Sequence, residues 1–329
     1  MRHIIFVIIC ILAIACKKNP ESVLSDNEII NSWIEETMNH YYLWNDQVNI
    51  PANTNKDVPP EEYFKKIIVA NDNYSEITKN LNRIISERDA IKAYPIFLDT
   101  VYNTENKNIA YLVYDAFHPD NGDLSKQYDL QLNSIFKTFK SKNVTELILD
   151  LRRNTGGHIS SSANLASMVV KNLNQNNIYA KYVPNKQYER EMVNEKGADC
   201  LNIYFNNKIQ DVEINNLNLN RLIVITSPAS KSVVEIFINS LKPYMEVVIV
   251  GSKTAGKNVN TSLFYEDNPR SQTVNNYAII LATMKVANKA GNTEYGFEPN
   301  ITESADNALP LGNINEKLLS AAINYSIKN

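Results

Sequence analysis

Two short segments of the chain combine glycine turns with side chains that can act as a nucleophile and a base. Gly156 and Gly157 follow an apolar run that contains an aspartate, and Gly251 and Gly256 lead into Lys257. These four are among only nine glycines in the chain. Glycines at the ends of buried strands permit sharp turns and close approach of a ligand to the backbone. A hydroxyl and an amine beside such turns can carry out nucleophilic catalysis.

The paired glycines predict a strand–turn–helix. The strand covers Leu147–Leu151 and the helix covers Ser160–Asn172. Backbone N–H groups at a turn and a helix start have no partner within the helix, so they can bind an anion or a developing oxyanion. A tight connection with no ligand explains the same pattern. This segment alone therefore does not distinguish a ligand-binding turn from a purely structural one.

Ser232 stands where a second predicted strand, Leu222–Thr226, turns into a predicted helix, Val233–Leu241. Several hydrolases place their nucleophile at such a junction. Ordinary helix caps are found there too. Because Ser227 and Ser230 are also available as caps, Ser232 is free for another role.

Lys257 ends a segment that matches the pattern of a phosphate-binding loop, G-x-x-x-x-G-K. Asn258 follows where that loop needs serine or threonine, and the predicted structure of 259–265 is extended where the loop needs a helix. Nucleotide binding is therefore disfavoured. A desolvated lysine has another use, since its lowered pKa yields a neutral amine that acts as a base.

Composition limits the classes of protein that are possible. The 329 residues are 44% hydrophobic with a formal net charge of -3, which fits a soluble globular protein with one large core and room for a smaller domain. The lack of a basic stripe argues against a nucleic-acid partner. Cys200 has no cysteine-protease signature around it and is predicted to be a small core residue. No cysteine or histidine cluster indicates a metal, and we expect no cofactor.

The N-terminus predicts export. Residues 1–15 have a short positive start and an apolar core, as in a signal peptide. Small residues before Cys16 resemble the lipobox of bacterial lipoproteins, although Ala13 stands where leucine is usual. We expect lipid on Cys16, a tether over 16–25, and a location in the bacterial cell envelope, facing the periplasm or at the surface. An ordinary secretory signal or a short anchor is the alternative.

The remaining chain predicts two regions. Residues 26–90 form a small helical domain. Its first helix is capped by Asp26 and runs to about Tyr42, a second covers Glu61–Ala70, and a weaker one covers Leu81–Ile91. From 93 to 329, strands and helices alternate, which predicts an α/β domain with a sheet covered by helices. The additional elements there are strands Ile96–Leu98, Ile109–Tyr114 and Val247–Val250, and helices Leu124–Lys140 and Leu318–Ile327. Tyr277–Val286 is a late strand pair or one long strand.

Taken in order, three motifs resemble those of the C-terminal processing, or tail-specific, serine peptidases. They are Asp150-Leu-Arg-Arg-Asn-Thr-Gly-Gly157, Ser230-x-Ser232-x-x-Glu235 and Lys253-Thr254-x-Gly256-Lys257. The resemblance covers about 93–302, and the helical front resembles the lipoprotein branch of the family. Many members carry a PDZ domain, but the roughly 20 residues between Tyr74-Ser75 and Ile96 are too few for one.

The resemblance implies an endopeptidase on a crotonase-like or ClpP-like α/β fold that cleaves unfolded or exported polypeptides. Ser232 would be the nucleophile and Lys257 the base, with the oxyanion between the Val233 N–H and an N–H of the Gly156-Gly157 turn. The resemblance assigns supporting positions to Glu235, Thr254, Asn260 and Thr261. His158 is an alternative base. A non-catalytic binding or scaffold protein on the same fold is the alternative function, and Val233, Val234 and Pro243 depart from the residues usual in the family.

Overall fold

A computed structural model describes residues 24–79, 93–104, 106–174, 176–265, 277–305 and 308–328. The predicted signal peptide, Cys16 and the weak helix over Leu81–Ile91 lie outside the described residues. Within the described ranges, no helix combines the length and apolar character needed to span a bilayer.

The described residues contain seven α-helices and thirteen β-strands. The helices are α1 Asp26–Tyr41, α2 Pro60–Ile67, α3 Gln127–Ser141, α4 Ile159–Val169, α5 Lys186–Lys196, α6 Val233–Leu241 and α7 Lys317–Lys328. The strands are β1 Glu76–Thr78, β2 Ile96–Asn103, β3 Asn108–Tyr114, β4 Glu146–Asp150, β5 Ile178–Pro184, β6 Asn202–Tyr204, β7 Lys208–Ile209, β8 Val212–Glu213, β9 Arg221–Thr226, β10 Glu246–Gly251, β11 Val259–Phe264, β12 Ala278–Ala287 and β13 Ile301–Thr302. The predicted α/β class is confirmed.

The larger sheet brings the three motifs to one edge. Its strand order is β13-β10-β9-β4-β3-β2, and all neighbours are parallel except β2 and β3. Thr226 at the end of β9 pairs with Gly251 at the end of β10, and Asp150 at the end of β4 pairs with Ile225. The segments that carry the glycine pair, Ser232 and Lys257 therefore all leave the sheet at its carboxyl edge, where ligands bind in open α/β sheets.

Both faces of this sheet are covered. Leu147 and Leu149 of β4 belong to the hydrophobic cluster that includes residues of α3, α4 and α6. Ile148, between them, belongs to a second cluster with Leu318 and Leu319 of α7. Because successive side chains of a strand point to opposite faces, a strand covered on both sides is apolar throughout. This accounts for the unbroken apolar runs that predicted these strands.

A smaller antiparallel sheet joins the N-terminal helices to the site. Its order is β1-β12-β5-β6, with β11 also paired to β12. Ile34 and Met38 of α1 share a buried cluster with Ile279 and Leu281 of β12. Since β11 begins two residues after Lys257, the N-terminal helices support the strand that follows the predicted base.

The first helix begins with a capping box that differs from the predicted cap. Ser25, rather than Asp26, is the N-cap, and its hydroxyl accepts from the Glu28 N–H at 3.2 Å. The Glu28 carboxylate accepts from the Ser25 N–H at 2.7 Å. Asp26 lies in the first turn of the helix instead, where a negative charge is favourable.

Candidate active site

Ser232 has a backbone conformation that is unusual for a residue with a side chain. Its φ of 58° and ψ of -116° lie outside the ordinary regions for L-residues, and it holds the N-cap position of α6 without making a side-chain cap. Within the described residues, its half-buried hydroxyl makes no hydrogen bond. Strained backbone of this kind persists where the surroundings enforce it, which occurs often at functional sites.

Ser227 and Ser230 do not cap α6. The Ser230 hydroxyl donates to the Leu151 carbonyl at 2.8 Å and accepts from the Ser227 N–H at 3.1 Å. The Ser227 hydroxyl donates to the Arg152 carbonyl at 2.6 Å. These bonds tie the turn before Ser232 to the end of β4, so they hold the serine beside the glycine pair.

The Gly156-Gly157 turn lies directly against Ser232. A Cβ added to Gly156 would stand 3.1 Å from the Ser232 Cβ and 3.4 Å from the Val233 nitrogen. The Gly156 N–H already donates to Asn154 Oδ1 at 2.9 Å, so it is not free for a ligand. The N–H groups of Gly157 and Val233 have no acceptor within the described part of the chain. Of the two glycine donors that were predicted, Gly157 is therefore the one available.

Glu235 fixes the loop that carries Lys257. Its fully buried carboxylate accepts hydrogen bonds from the backbone N–H groups of Gly256 and Lys257, both at 2.8 Å. It also accepts from the Thr254 hydroxyl at 2.6 Å and from the Gly296 N–H at 2.9 Å. Because Glu235 lies three residues after Ser232 on α6, these bonds hold the Lys257 backbone beside the start of that helix.

The Lys257 side chain is partly removed from water. Burial lowers the pKa of its amine from the ordinary value of 10.5, and the neighbouring charge of Lys231 lowers it further. No carboxylate within the described ranges forms an ion pair with this amine. A larger fraction of the amine is therefore neutral near pH 7 to 8 than for an exposed lysine, and only the neutral form accepts a proton.

Tyr74 contacts the same loop from the N-terminal region, and sequence reasoning gave it no role. Its hydroxyl donates to the Gly256 carbonyl at 3.3 Å, while Asp72 accepts from the Tyr74 N–H at 2.8 Å. The Gly256 carbonyl and the Lys257 N–H belong to one peptide group, which is thus bonded at one end by Tyr74 and at the other by Glu235. Burial raises the pKa of Tyr74, so its hydroxyl remains a donor.

A cleft of about 550 Å³ opens at Ser232. The predicted supporting residues Asn260 and Thr261, which lie opposite a bulge in β12, line it. The other two predicted supporting residues, Glu235 and Thr254, are buried behind the loop. His158 lines the cleft, as does His118, which sequence reasoning missed; only its position just after the apolar strand β3 pointed to it.

The Asp-x-Arg part of the first motif forms a structural network. Asp150 accepts from the Tyr111 hydroxyl at 2.7 Å and from Arg152 Nε at 3.0 Å. Arg152 also makes a two-point bond to Glu316, at 2.9 and 3.1 Å. Glu316 precedes α7 and accepts from the Leu319 N–H at 2.9 Å, so the network ties the end of β4 to the start of the last helix.

The chain belongs to peptidase family S41. The model of that family matches residues 108–302, and the model of the peptidase S41 N-terminal domain matches residues 29–76. The family comprises serine peptidases, so the resemblance read from the three motifs is confirmed. Among curated proteins, none is significantly similar to this chain.

Solved structures with the same fold include proteases of this family. A putative S41 protease from Bacteroides fragilis superposes with a TM-score of 0.72 at 22% identity, over 94% of this chain and 99% of that one. The photosystem II D1 C-terminal processing protease gives 0.56 at 11% identity, over 87% and 95%. A lipoprotein from Streptococcus agalactiae gives 0.53 at 15% identity, over 86% and 93%. At these identities the likeness shows the fold.

Replacing Glu235 with glutamine is expected to impair peptide cleavage and stability together. Gly256 and Lys257 donate to different oxygens of Glu235, and glutamine keeps only one acceptor oxygen, so one of these N–H groups faces the amide NH₂ and the loop shifts. A displacement of about 1 Å costs roughly a hundredfold in kcat, and the lost charged hydrogen bonds cost about 2 to 3 kcal/mol of unfolding free energy. Cleavage assays and urea denaturation measure the two effects. Glu298→Gln, a change to an exposed carboxylate on the neighbouring segment, is the control and should alter neither.

Alanine substitutions in the glycine pair should separate catalysis from folding. Gly156→Ala places a methyl group against the Ser232 Cβ, so we expect activity reduced by about a hundredfold and a moderate loss of stability from an alanine at a φ of +118°. Gly157→Ala places a Cβ 2.3 Å from the Phe117 carbonyl oxygen, so we expect a large fall in melting temperature. Gly291→Ala, where φ is +84° and the space is open, measures the backbone strain alone. Normal activity in a folded Gly156→Ala protein would contradict the site.

Proposed function

We propose that this protein is a serine endopeptidase in which Ser232 and Lys257 form a catalytic dyad. The observation that carries the proposal is the strained start of α6, where the Ser232 hydroxyl borders the cleft and has no hydrogen-bond partner among the described residues. The lowered pKa of Lys257, on a loop held against the same helix by Glu235, supports the lysine as the base. Membership of the S41 family supports peptide-bond hydrolysis.

In the first half of the proposed reaction, Ser232 Oγ attacks the carbonyl carbon of the scissile bond and its proton passes to neutral Lys257. The negative charge that develops on the carbonyl oxygen is stabilised by the N–H groups of Gly157 and Val233. The Lys257 ammonium then donates its proton to the leaving amine. The C–N bond breaks, and an acyl group remains on Ser232.

In the second half, water replaces the departed amine. Neutral Lys257 takes a proton from the water, the resulting hydroxide attacks the acyl carbon, and the Ser232 oxygen leaves with the proton that Lys257 returns. Glu235, Thr254 and Tyr74 keep the lysine loop in place through both halves. Asn260 and Thr261 form the wall that borders the peptide.

We propose unfolded or exported polypeptides as the substrates. A cleft of about 550 Å³ admits an extended segment but not a folded domain.

The proposed export, with lipid on Cys16, would place the enzyme in the cell envelope. Intact mass of the membrane-extracted protein tests the anchor: loss of residues 1–15 together with added lipid supports it, and an unmodified Cys16 contradicts it.

Digestion of unfolded casein tests the proposed function. The purified wild-type protein should produce peptides over time, and the Ser232→Ala protein should not. If the folded wild-type protein binds casein without cutting it, the non-catalytic alternative is the correct one.

A further inference from the structure

His118 and His158 are neighbours across two parallel segments. Phe117 and Gly157 form a parallel bridge, with the Phe117 N–H donating to the Gly156 carbonyl at 2.9 Å and the His158 N–H donating to the Phe117 carbonyl at 2.7 Å. The next residues along these segments are His118 and His158. Paired segments lie about 4.8 Å apart, so two side chains on the same side of adjacent positions stand next to each other.

The two imidazole rings have a spacing close to that of a shared metal ion. Their centres are 6.2 Å apart, and the ring planes make an angle of 71°. Because a zinc–nitrogen bond is about 2.0 Å long and a ring nitrogen lies about 1.1 Å from the ring centre, two imidazoles on one zinc ion have centres roughly 5 to 6 Å apart. A small side-chain rotation closes the difference.

One nitrogen of the His118 ring lacks a hydrogen-bond partner among the described residues. Its Nε2 is shielded from solvent and has no hydrogen-bond partner within the described residues. Such an atom normally costs free energy unless it is paired, so an unpaired one needs an explanation. A rotation of the ring is needed to turn this shielded nitrogen towards a ligand in the cleft, which both histidines line.

We propose that His118 and His158 bind a divalent transition-metal ion, of which Zn²⁺ is the best candidate, at the Ser232 cleft. Imidazole nitrogen suits Zn²⁺, Cu²⁺ and Ni²⁺ and does not suit the hard ions Mg²⁺ and Ca²⁺. In the described parts of the chain, no group of three or more histidine, cysteine, aspartate and glutamate residues comes together. The remaining positions on the metal are therefore filled by water or by hydroxyl and amide oxygens, and the ion exchanges with solvent.

The bound ion blocks the cleft. His158 directly follows Gly157, whose N–H is one of the two proposed oxyanion donors, and Gly156 touches Ser232. A hydrated ion on the histidine pair occupies the space through which a peptide carbonyl reaches these donors. Reversible inhibition by zinc follows, and this consequence alone rests on the proposed peptidase function.

Calorimetric titration with ZnCl₂ tests the site independently of catalysis. Untagged Ser232→Ala protein should bind one zinc ion at this site. Introducing either His118→Asn or His158→Asn into that protein should weaken zinc binding by at least about tenfold. Loss of a residue that only orients a metal ligand already has an effect of about this size. His40→Asn, a change to the ion-paired histidine of α1, is the matched control and should leave binding unchanged. If the His118→Asn change prevents folding, the His158→Asn change at the exposed residue provides the test. Absence of binding, or binding that survives both changes, overturns the proposal.

Casein cleavage tests the inhibition. Zinc should stop cleavage by the wild-type protein, EDTA should restore it, and the His158→Asn protein should resist zinc at concentrations that inhibit the wild type. If the wild-type protein cleaves nothing, the peptidase proposal fails while the titration still decides the metal site. If zinc binds at the histidines but cleavage continues, the blocking role is overturned.

Discussion

Ser232→Ala is expected to reduce cleavage of an unfolded protein by a factor on the order of 10⁶, to background, because it removes the hydroxyl on which the proposed acyl bond forms. The folded structure should persist, since the Ser232 hydroxyl makes no hydrogen bond within the described residues and alanine meets the same backbone strain as serine. The measurement is kcat/KM on casein, together with the melting temperature of both proteins.

A matched serine change distinguishes this result from a general effect of mutation. Ser134 is exposed on α3, away from the carboxyl edge of the sheet, so Ser134→Ala should cleave at the wild-type rate. Residual activity of a few per cent in pure Ser232→Ala protein would show that the nucleophile is elsewhere. A collapse of the melting temperature would show that Ser232 is structural.

The second large effect is expected at Lys257. Lys257→Met keeps the length and apolar character of the stem but removes the amine, and general-base catalysis contributes roughly 10² to 10⁴ in rate. The wild-type rate should rise with pH as the amine deprotonates, over a range below the ordinary lysine pKa of 10.5. A rate that rises below pH 6 and is flat above it would instead indicate a histidine base, with His118 and His158 the candidates in the cleft.

Lys257→Met should raise the free energy of unfolding near neutral pH although it lowers activity. The pKa of Lys257 is lowered by folding, so between the lowered value and 10.5 the folded protein binds fewer protons than the unfolded one. Wild-type stability therefore rises with pH through that window. The methionine protein lacks this dependence and should be the more stable of the two near pH 7, with a difference that shrinks towards pH 10.5. Urea denaturation at pH 7, 9 and 10 measures it; a methionine protein that is less stable at pH 7 would contradict the desolvated lysine.

The parts of the fold that depend on burial could be predicted from the sequence. The strands β4, β9 and β10 are covered on both faces, so each is a continuous apolar run that can be recognised in the sequence. The helix α6 was predicted with the bounds that it has. The extended segment after Lys257 is β11, and the late apolar run is the single strand β12. All of these elements except β11 bury most of their side chains, and burial is the property that produces an apolar pattern in the sequence.

The region between β5 and β8 left no such pattern. The helix α5 buries none of its residues, and β6, β7 and β8 are only two or three residues long. Asn185 caps α5, but its amide also donates to the carbonyls of His40 and Tyr42, both at 3.0 Å. These contacts join residues more than 140 positions apart, so they could not be predicted from the local sequence.

The residues of the candidate site could be proposed from the sequence, but several of the tertiary contacts around them could not. The order of the motifs indicated Ser232, Lys257 and the glycine pair, because each motif follows a buried strand. The bond from Tyr74 to the Gly256 carbonyl and the approach of His118 to His158 depend on tertiary contacts. The same is true of the bond that occupies the Gly156 N–H, which left Gly157 as the available donor.

Covalent labelling by a fluorophosphonate, read by intact mass and peptide mapping at pH 8, tests most directly whether Lys257 activates Ser232. The proposed dyad predicts one phosphonyl group per chain, on Ser232, and at least a hundredfold slower labelling of the folded Lys257→Met protein. Equal labelling rates in the two proteins, or a label on any other residue, would contradict it.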